Sequence, residues 1–418
     1  MRNAPRRATT ATPGIVGRVR VAIVTDYCFP QLGGISEVVH AQALGLTAHG
    51  HEVTVVTGHL LRRPEVADDP RPPHDGTYEI IRVGAAIPLF GNGSATLHTI
   101  PPLLTETLRR LFRRRRFDVV HVHAPYNPGM CLIAPLAIPS GTIGVGTYHS
   151  VFEPGKGLNT FGRLMRWSLA KLDGHVVVAP ACIDSLERYF PFDYEYIPNG
   201  VDADRYRPEG DRIEALRADG KPVILFLGRF DPRNGLANAL KAFERVHAER
   251  KGDARLVICG DGPLKHIYRR QLPENVAADV HWAGRVDWSR PSYYRTADVL
   301  CIPCQKAACS MVPLEGMASG VPIVASRIPG FELALDHGEQ GLLVDDFEQP
   351  EGFAESILHL LERPDERVRM GVEGRERALA NYSLSAITAQ YELLYARLRG
   401  QDPETLPPSL PERVGAVA

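Results

Sequence analysis

Short apolar runs alternate with longer amphipathic stretches along almost the whole chain. In the first half, the apolar runs predict buried strands at 18–25, 52–57, 79–83, 118–123, 144–149, 174–179 and 194–197. The stretch 36–49 has helical spacing, and Gly50 is placed to end that helix. Because strands and helices alternate, we predict a parallel sheet that is covered on both faces.

The same pattern starts again in the second half. Strands are predicted there at 223–227, 256–259, 280–282, 299–303, 322–325 and 342–344. Between the halves, the segment 199–210 is polar and rich in turn formers, so we place the interdomain linker in it. Two successive doubly wound α/β domains leave a central cleft at the carboxyl ends of their strands, where such sheets bind ligands.

These patterns divide the chain into five parts. Residues 19–205 and 206–382 are predicted to form two Rossmann-like, parallel-sheet domains. Residues 383–399 contain a predicted helix at 384–398, which we expect to pack back on the first domain. The segment 1–18 lacks the apolar core of a secretion signal and 400–418 is rich in proline, so both are expected to be disordered.

The amino-acid composition argues against several classes of binding partner. The formal net charge of the 418 residues is −1, which gives no overall field to attract nucleic acid. No run of about 18 apolar residues is present, so we expect no membrane-spanning helix. The seven cysteines lie mostly in apolar runs and are expected to be buried thiols. Cys301, Cys304 and Cys309 lack a fourth ligand at suitable spacing, which argues against structural zinc.

A glycine pair joins the first predicted strand to the first helix. Gly33 and Gly34 would let the backbone turn sharply and approach a ligand, and the helix N terminus behind them suits phosphate. A tight turn that binds nothing would explain the same pair. The spacing is not G-x-G-x-x-G, which argues against a nicotinamide cofactor.

The corresponding junction of the second domain carries arginines. Gly228 would allow close approach, and the planar guanidinium of Arg229 matches a diphosphate. Arg233 is either a second cation for the same group or a solvated loop residue. Together they would neutralise the charge that develops on a departing diphosphate.

A glutamate lies in the first turns of a predicted helix that ends at Gly320. Glu315 either stabilises that helix through its dipole or accepts hydrogen bonds from ribose hydroxyls, and the following Gly-Met-Ala-Ser-Gly-Val-Pro sequence favours the second role. The backbone N–H groups of the preceding turn would then face a diphosphate. They belong to Ser310, Met311 and Val312.

A histidine and an Asp-x-Asp sequence are two further candidates for a functional role. His149 ends a predicted strand at the edge of the cleft, where it is either an ordinary polar residue or a catalytic one. Asp202 and Asp204 form an Asp-x-Asp sequence, but they follow Asn199-Gly200 in a turn, where Asp is expected for local hydrogen bonding. We therefore predict no catalytic metal.

The segment 102–116 is the one dense basic cluster in the sequence. Its apolar residues fall on one face of a helix. The helix either packs on the sheet, with cations stabilising its C-terminal end, or docks on anionic phospholipid. The arginines that would contact such a membrane are Arg109, Arg110, Arg113, Arg114, Arg115 and Arg116.

Together these segments resemble the glycosyltransferases of family four, from about residue 19 to about residue 399. Several stretches resemble more specifically the phosphatidylinositol mannosyltransferases of actinobacteria. They are Tyr27 with 33–34, 91–94, 117–123, 148–150 and 197–202.

The resemblance implies a GT-B fold and a retaining transfer of a hexose from a nucleotide sugar to a hydroxyl acceptor. Mannose from GDP-mannose and phosphatidylinositol are one such pair. The alternatives are a soluble polysaccharide or secondary-metabolite acceptor, or a non-catalytic nucleotide-binding relative. The nucleotide sugar would be a substrate, so no cofactor is expected. The location would be cytoplasmic, either free or peripheral on the inner face of the plasma membrane.

The resemblance also assigns roles to residues. The backbone of Gly34 and His149 would border the donor sugar, Arg229 would bind the diphosphate, Glu315 the ribose, and Val286 would lie by the base. Gly33 and Gly228 are expected to line the donor site as well. Tyr27, Ser36 and Asn92 would line the acceptor side. The family's diphosphate-binding lysine is here Asn234, and its first glutamate is Ala307. Cys309-Ser310 replace the usual Phe-Gly, so the sequence leaves the identity of the donor open.

Overall fold

A computed structural model describes residues 17–31, 33–60, 76–91, 94–99, 103–150 and 156–401. Within these ranges the chain forms two α/β domains, each built on its own twisted sheet. The predicted fold class is therefore confirmed. Residues 1–16 and 402–418, which make up nearly all of the two predicted tails, lie outside the described residues.

The sheet of the first domain has eight strands in the order β4-β3-β2-β1-β5-β6-β7-β8. All neighbouring strands are parallel except β3 and β4, which are antiparallel. The strands are β1 (Arg20–Val24), β2 (Glu52–Leu60), β3 (Glu79–Gly91), β4 (Ser94–Thr99), β5 (Val119–His123), β6 (Ile143–Tyr148), β7 (Gly174–Val177) and β8 (Tyr194–Tyr196).

The sheet of the second domain has six strands in the order β11-β10-β9-β12-β13-β14, all parallel. Its strands are β9 (Val223–Leu227), β10 (Arg255–Cys259), β11 (Val280–Gly284), β12 (Val299–Ile302), β13 (Ile323–Ser326) and β14 (Gly341–Val344).

Helices cover both sheets. Those of the first half are α1 (Gly34–Ala48), α2 (Leu104–Arg115), α3 (Met130–Ala137), α4 (Lys156–Leu169) and α5 (Ala181–Glu187). Those of the second half are α6 (Leu236–Glu249), α7 (Lys265–Gln271), α8 (Glu274–Ala277), α9 (Arg290–Thr296), α10 (Met311–Ala318), α11 (Pro329–Glu332), α12 (Glu351–Glu362), α13 (Pro364–Arg377) and α14 (Leu384–Leu398).

Alternate residues of the central strands face two separate apolar cores. In β1, Ala22 and Val24 belong to one core while Val21 and Ile23 belong to the other. This is the two-residue period of a strand that is covered on both faces. The continuous apolar runs predicted such strands because neither face of the strand meets water.

The edge strand β4 was not predicted. The expected strand at 79–83 continues to Gly91, and the chain then returns as β4 with Leu89 opposite Thr96. The connecting residues 92–93, including Asn92, lie outside the described residues. Their Asn-Gly sequence is a hairpin signal that would have indicated the return.

The chain passes between the domains at two adjacent places. Val201 forms a bridge with Ser383, and its amide donates to the carbonyl of Tyr382 at 2.7 Å. After the second crossing, α14 packs against α1 and adds Tyr391 and Leu394 to the core of the first domain. The last described helix of the chain therefore packs on the first domain, as predicted.

A buried carboxylate on α14 contacts two histidines of the first domain. Glu392 is fully buried and lies 3.0 Å from His49 Nδ1 and 2.7 Å from His51 Nε2. The amide of Val19 donates to His51 Nδ1, so the Nε2–H of His51 faces the carboxylate. The contact therefore joins α14 to the loop that follows α1.

Among the described residues, no helix combines the length and the apolar character needed to cross a bilayer.

Candidate active site

A cleft of about 470 Å³ lies at the carboxyl ends of the strands of both domains. It contains all the predicted donor and acceptor residues that the structure describes, and Asn92 is the one outside that part. From the first domain it is lined by Tyr27, Gly33, Gly34, Ser36 and His149. From the second domain it is lined by Gly228, Arg229, Arg233, Asn234, Val286, Ser310, Met311, Val312 and Glu315.

The glycine pair leaves open space on the cleft side of the backbone. Gly33 has φ of 168°, an extended conformation open to any residue, and φ of Gly34 does not lie in the left-handed range. The sharp turn expected from the sequence therefore does not require glycine. Apart from its chain neighbours, a Cβ atom at either position would meet no atom of the described residues within 4 Å. The absence of side chains here instead leaves room beside the N terminus of α1 for a ligand.

The loop after β9 presents two guanidinium groups. The side chain of Arg229 is about half exposed and lies 3.1 Å from Asp231. Arg233 lines the same cleft and makes no ion pair within the described part of the chain. Asn234 donates from Nδ2 to the carbonyl oxygen of Arg229 at 2.8 Å, so this residue braces the loop that carries Arg229. Asn234 therefore makes a structural contact where the family has a lysine.

Gly235 ends this loop and, unlike the pair at the first junction, is required by the backbone. Its φ is 76°, and a Cβ there would lie 1.7 Å from the carbonyl oxygen of Pro303. The loop therefore packs directly against the chain that follows β12.

Glu315 is a buried carboxylate on α10. Its Oε1 accepts from Arg290 Nη1 at 3.2 Å, and its Oε2 accepts from the hydroxyl of Tyr294 at 2.8 Å. Burial raises the pKa of Glu315, and the neighbouring guanidinium of Arg290 opposes that shift. Each oxygen keeps one lone pair for a further donor, so the carboxylate can still accept from a ligand.

Sequence analysis missed Arg290. This buried residue at the start of α9 lines the cleft, and its Nη1 lies 3.0 Å from Glu37 Oε1 on α1. Arg205 lies 3.8 Å from the same Glu37. No local pattern shows this pairing, because Glu37 and Arg290 are 253 residues apart. The contact joins the two domains within the lining of the cleft.

The N terminus of α10 also faces the cleft. Ser310 is its N-cap and accepts from the amide of Val312 at 3.4 Å. The amide of Val312 therefore has a partner within the protein, and the prediction that these N–H groups face a diphosphate stays a prediction. Met311 lies between them and lines the cleft.

His149 is a neutral imidazole. It follows β6, is partly exposed to the cleft, and has Nε2 at 2.9 Å from Nδ1 of His123. Burial lowers the pKa of His149 to about 3. Its ring therefore offers hydrogen bonds but no positive charge at neutral pH.

Two predicted acceptor residues have polar atoms at the cleft. The hydroxyl of Tyr27 accepts from Nδ2 of Asn127 at 3.1 Å, and burial raises the pKa of Tyr27 to about 12. The hydroxyl of Ser36 is buried and has no hydrogen-bond partner among the described residues. An unpaired buried hydroxyl is costly, so this one is available to a bound molecule.

The Asp-x-Asp sequence forms a local turn, as predicted. Asp202 Oδ1 accepts from the backbone amides of Asp204 at 3.2 Å and Arg205 at 3.0 Å. The seven cysteines are free thiols, and all except Cys309 are buried. Across the described ranges, no group of three or more His, Cys, Asp or Glu side chains is arranged to hold a metal ion.

The basic helix α2 packs on the sheet through its apolar face. Leu104, Leu108 and Phe112 are buried in the core of the first domain. Three of its arginines form ion pairs: Arg109 and Arg110 with Glu106, and Arg115 with Glu79. Arg113, Arg114 and Arg116 are exposed and make no ion pair among the described residues.

Two family models together match most of the chain. The model described as Glycosyltransferase Family 4 matches residues 32–205, and the model described as Glycosyl transferases group 1 matches residues 209–377. The boundary between the two matches, 205–209, falls within the segment 199–210 that was predicted as the linker.

Two curated relatives come from Mycobacterium tuberculosis. Its phosphatidyl-myo-inositol mannosyltransferase is 29% identical over 394 residues, which are 91% of this chain and 98% of that protein. Its GDP-mannose-dependent alpha-(1-6)-phosphatidylinositol monomannoside mannosyltransferase is 32% identical over 221 residues, 50% of this chain and 56% of that protein.

Among solved structures, sucrose-phosphate synthase from Thermosynechococcus elongatus matches with a TM-score of 0.69 at 21% identity. The match covers 92% of this chain and 100% of that one, so the two share the GT-B fold. The chain thus belongs to the glycosyltransferases of family four, and it is a GT-B hexosyltransferase.

Proposed function

We propose that this protein transfers mannose from GDP-mannose to an inositol-containing phospholipid with retention of configuration. The observation that carries the proposal is the convergence of Arg229, Arg233 and the open backbone at 33–34 on one cleft. The choice of mannose and of a phosphatidylinositol acceptor rests on similarity along 91% of the chain to a phosphatidyl-myo-inositol mannosyltransferase.

The donor would lie across both domains. The guanidinium groups of Arg229 and Arg233 would bind the diphosphate, helped by the N termini of α1 and α10. Glu315 would accept from the ribose through the lone pairs that Arg290 and Tyr294 leave free. The sugar would then lie near His149.

Catalysis would come from stabilising the leaving group. Arg229 would neutralise the charge that develops on the diphosphate as the glycosidic bond breaks. The acceptor hydroxyl would attack from the same face, and a diphosphate oxygen would take its proton, so no protein nucleophile is required. We also propose that the arginines make a catalytic metal unnecessary, so a chelator would leave the turnover rate unchanged.

The acceptor would enter beside Tyr27 and Ser36. The hydroxyl of Ser36, which has no hydrogen-bond partner among the described residues, would bond a hydroxyl-rich headgroup. We propose that Asn92, beyond the described residues, lies on the same side.

We propose that the first domain docks on an anionic membrane. The exposed arginines of α2 would supply charge, since each cation near such a surface contributes about 1 kcal/mol. The apolar face of α2 is occupied by the core, so the apolar contacts would come from α4, where Leu164 and Trp167 are 62% and 57% exposed. Exposed Arg163 and Arg166 lie beside them.

The direct test is a donor panel with defined acceptors. The purified protein would be incubated with GDP-, UDP-, ADP- and TDP-sugars, each with vesicles of phosphatidylinositol or with soluble glycans. The proposal predicts a mannosylated lipid with GDP-mannose alone. A product formed with another nucleotide sugar would contradict the proposed donor. A product formed with a soluble glycan in place of the lipid would contradict the proposed acceptor.

A further inference from the structure

A continuous chain of buried hydrogen bonds leads from the cleft into the first domain. His149 Nε2 lies 2.9 Å from His123 Nδ1, and His123 Nε2 lies 2.6 Å from Gln42 Oε1. The amide nitrogen of Gln42 lies 3.1 Å from His121 Nδ1, and His121 Nε2 lies 2.6 Å from Thr147 Oγ1. The chain spans α1, β5 and β6, so three elements hold one imidazole.

The Gln42 amide determines which nitrogen of each ring carries the hydrogen. Its oxygen can only accept, so Nε2 of His123 must donate and Nδ1 of His123 holds a lone pair. The Nε2 of His149 must then donate to that lone pair. In the neutral ring of His149, Nδ1 is therefore an acceptor.

The nitrogen end of the Gln42 amide contacts two groups of the inner half of the chain. The Gln42 nitrogen donates to Nδ1 of His121 and also to the hydroxyl of Tyr395 at 3.3 Å. That hydroxyl also lies 2.7 Å from the same Nδ1. A 180° turn of the amide would reverse the tautomers of His123 and His149 together, so Gln42 sets the state of the whole chain.

The chain transmits hydrogen-bond direction and carries no charge. Burial lowers the pKa of His121 and of His149 to about 3 and places that of His123 well below its usual range. Within the described residues, His149 Nδ1 has no protein partner, and the residue lines the cleft.

We propose that His123 and Gln42 are positioning residues that hold His149 as the Nε2–H tautomer, so that its Nδ1 accepts a hydrogen from a hydroxyl of the donor sugar. The identity of the ligand in this inference rests on the proposed function. The tautomer of His149 rests on the hydrogen-bond network alone. An acceptor at His149 Nδ1 would select a sugar with a hydroxyl group that donates to this nitrogen. A deoxy analogue lacking that hydroxyl would lose the contact.

The tautomer can be tested without substrate. Heteronuclear NMR of protein labelled at the histidine nitrogens distinguishes the two neutral tautomers, and the signals that vanish in His149→Gln belong to His149. We expect hydrogen on Nε2 in the wild-type protein and a mixture of tautomers in Gln42→Leu. Hydrogen on Nδ1 in the wild type, or an unchanged tautomer in Gln42→Leu, would overturn the proposal.

Kinetics separates positioning from folding. Gln42→Leu should lower kcat by about 10- to 100-fold with little change in KM for the donor, because the diphosphate and ribose contacts remain. Gln42→Glu keeps an oxygen acceptor for Nε2 of His123 and should restore most of kcat. Equal losses in the two variants, at matched melting temperatures, would overturn the proposal. If the tautomer is as stated but His149→Gln has the wild-type rate, the assigned contact with the sugar is wrong instead.

Discussion

Arg290 of the second domain lies 3.0 Å from Glu37 of the first, and both side chains are less than 10% exposed. The same guanidinium nitrogen lies 3.2 Å from Glu315, so one cation serves two buried carboxylates. Removing one partner of a buried pair is costly, because the remaining charge stays desolvated.

Arg290→Met should therefore destabilise the protein by about 3–5 kcal/mol, since Glu37 and Glu315 lose their common partner. Glu37→Gln should cost less than about 1.5 kcal/mol, because Arg290 remains paired with Glu315. Urea denaturation followed by tryptophan fluorescence measures both losses. Equal losses would contradict the shared role of Arg290.

Gly34→Ala should weaken donor binding without affecting the fold. The added Cβ would meet no atom of the described residues beyond its chain neighbours within 4 Å, but it would enter the space assigned to the ligand. We expect an unchanged melting temperature and a donor affinity lower by at least about 10-fold, equivalent to about 1.4 kcal/mol. Calorimetric titration and a thermal melt of the same sample give the two values.

Gly235→Ala is the matched control for that substitution. It adds the same methyl group where the backbone has positive φ and where Pro303 leaves no space. We expect it to lower the melting temperature strongly. A stable Gly235→Ala protein, or a destabilised Gly34→Ala protein, would show that these two glycines have been assigned the wrong roles.

The exposed arginines of α2 should dominate binding to anionic vesicles. Replacing Arg113, Arg114 and Arg116 with serine should abolish most of the salt-dependent binding, at about 1 kcal/mol for each cation. Replacing Arg109 and Arg110 should have a smaller effect, because Glu106 already pairs with both. Co-sedimentation with phosphatidylserine vesicles at two salt concentrations measures this difference, and equal effects of the two sets would argue against docking through the free arginines.

The buried carboxyl of Asp26 makes the stability of the folded protein depend on pH. Burial raises its pKa to about 6 from 3.8, although the amide of Thr99 donates to it at 3.0 Å. Protonation therefore favours the folded state, and the folded protein loses stability as the pH rises from 3.8 through about 6.

Asp26→Asn should remove this cost. We expect it to stabilise the protein by about 2–3 kcal/mol at about pH 7.5 and to have little effect at about pH 4. Thermal melts of the variant and the wild type at both pH values test this. The same shift at both would mean that Asp26 does not titrate as described.

The buried strands were predictable because each is an apolar run that neither face exposes to water. The strand β9 has the bounds that its apolar run predicts, Val223–Leu227. The edge strand β4 was missed because it extends the sheet as a hairpin, and only its turn residues indicate it.

The residues of the cleft were partly predictable. Gly228 and Arg229 directly follow a strand, and Glu315 lies in the first turns of a helix, and both kinds of position can be predicted from sequence. Arg290 and Gln42 were missed because their partners are distant in the chain: Arg290 pairs with Glu37 across 253 residues, and Gln42 contacts His121 across 79. These pairings depend on how the elements assemble, which local patterns do not report.

The central claim is that guanidinium groups in this cleft bind the diphosphate of a nucleotide sugar. Arg229→Ala should lower turnover by about 100- to 1,000-fold, as the loss of a transition-state donor does. Its stability should change by less than about 1 kcal/mol, because Arg229 is half exposed and its ion pair with Asp231 at 3.1 Å is screened by solvent. Arg245→Ala, at another half-exposed arginine paired with Glu351, is the control with unchanged turnover.

The most direct measurement is isothermal titration of GDP-mannose and GDP into the wild type, Arg229→Ala and Arg245→Ala. The account predicts saturable binding to the wild type and to Arg245→Ala, and a large loss of affinity in Arg229→Ala. Equal binding by all three proteins, or no heat with any nucleotide sugar, would contradict it.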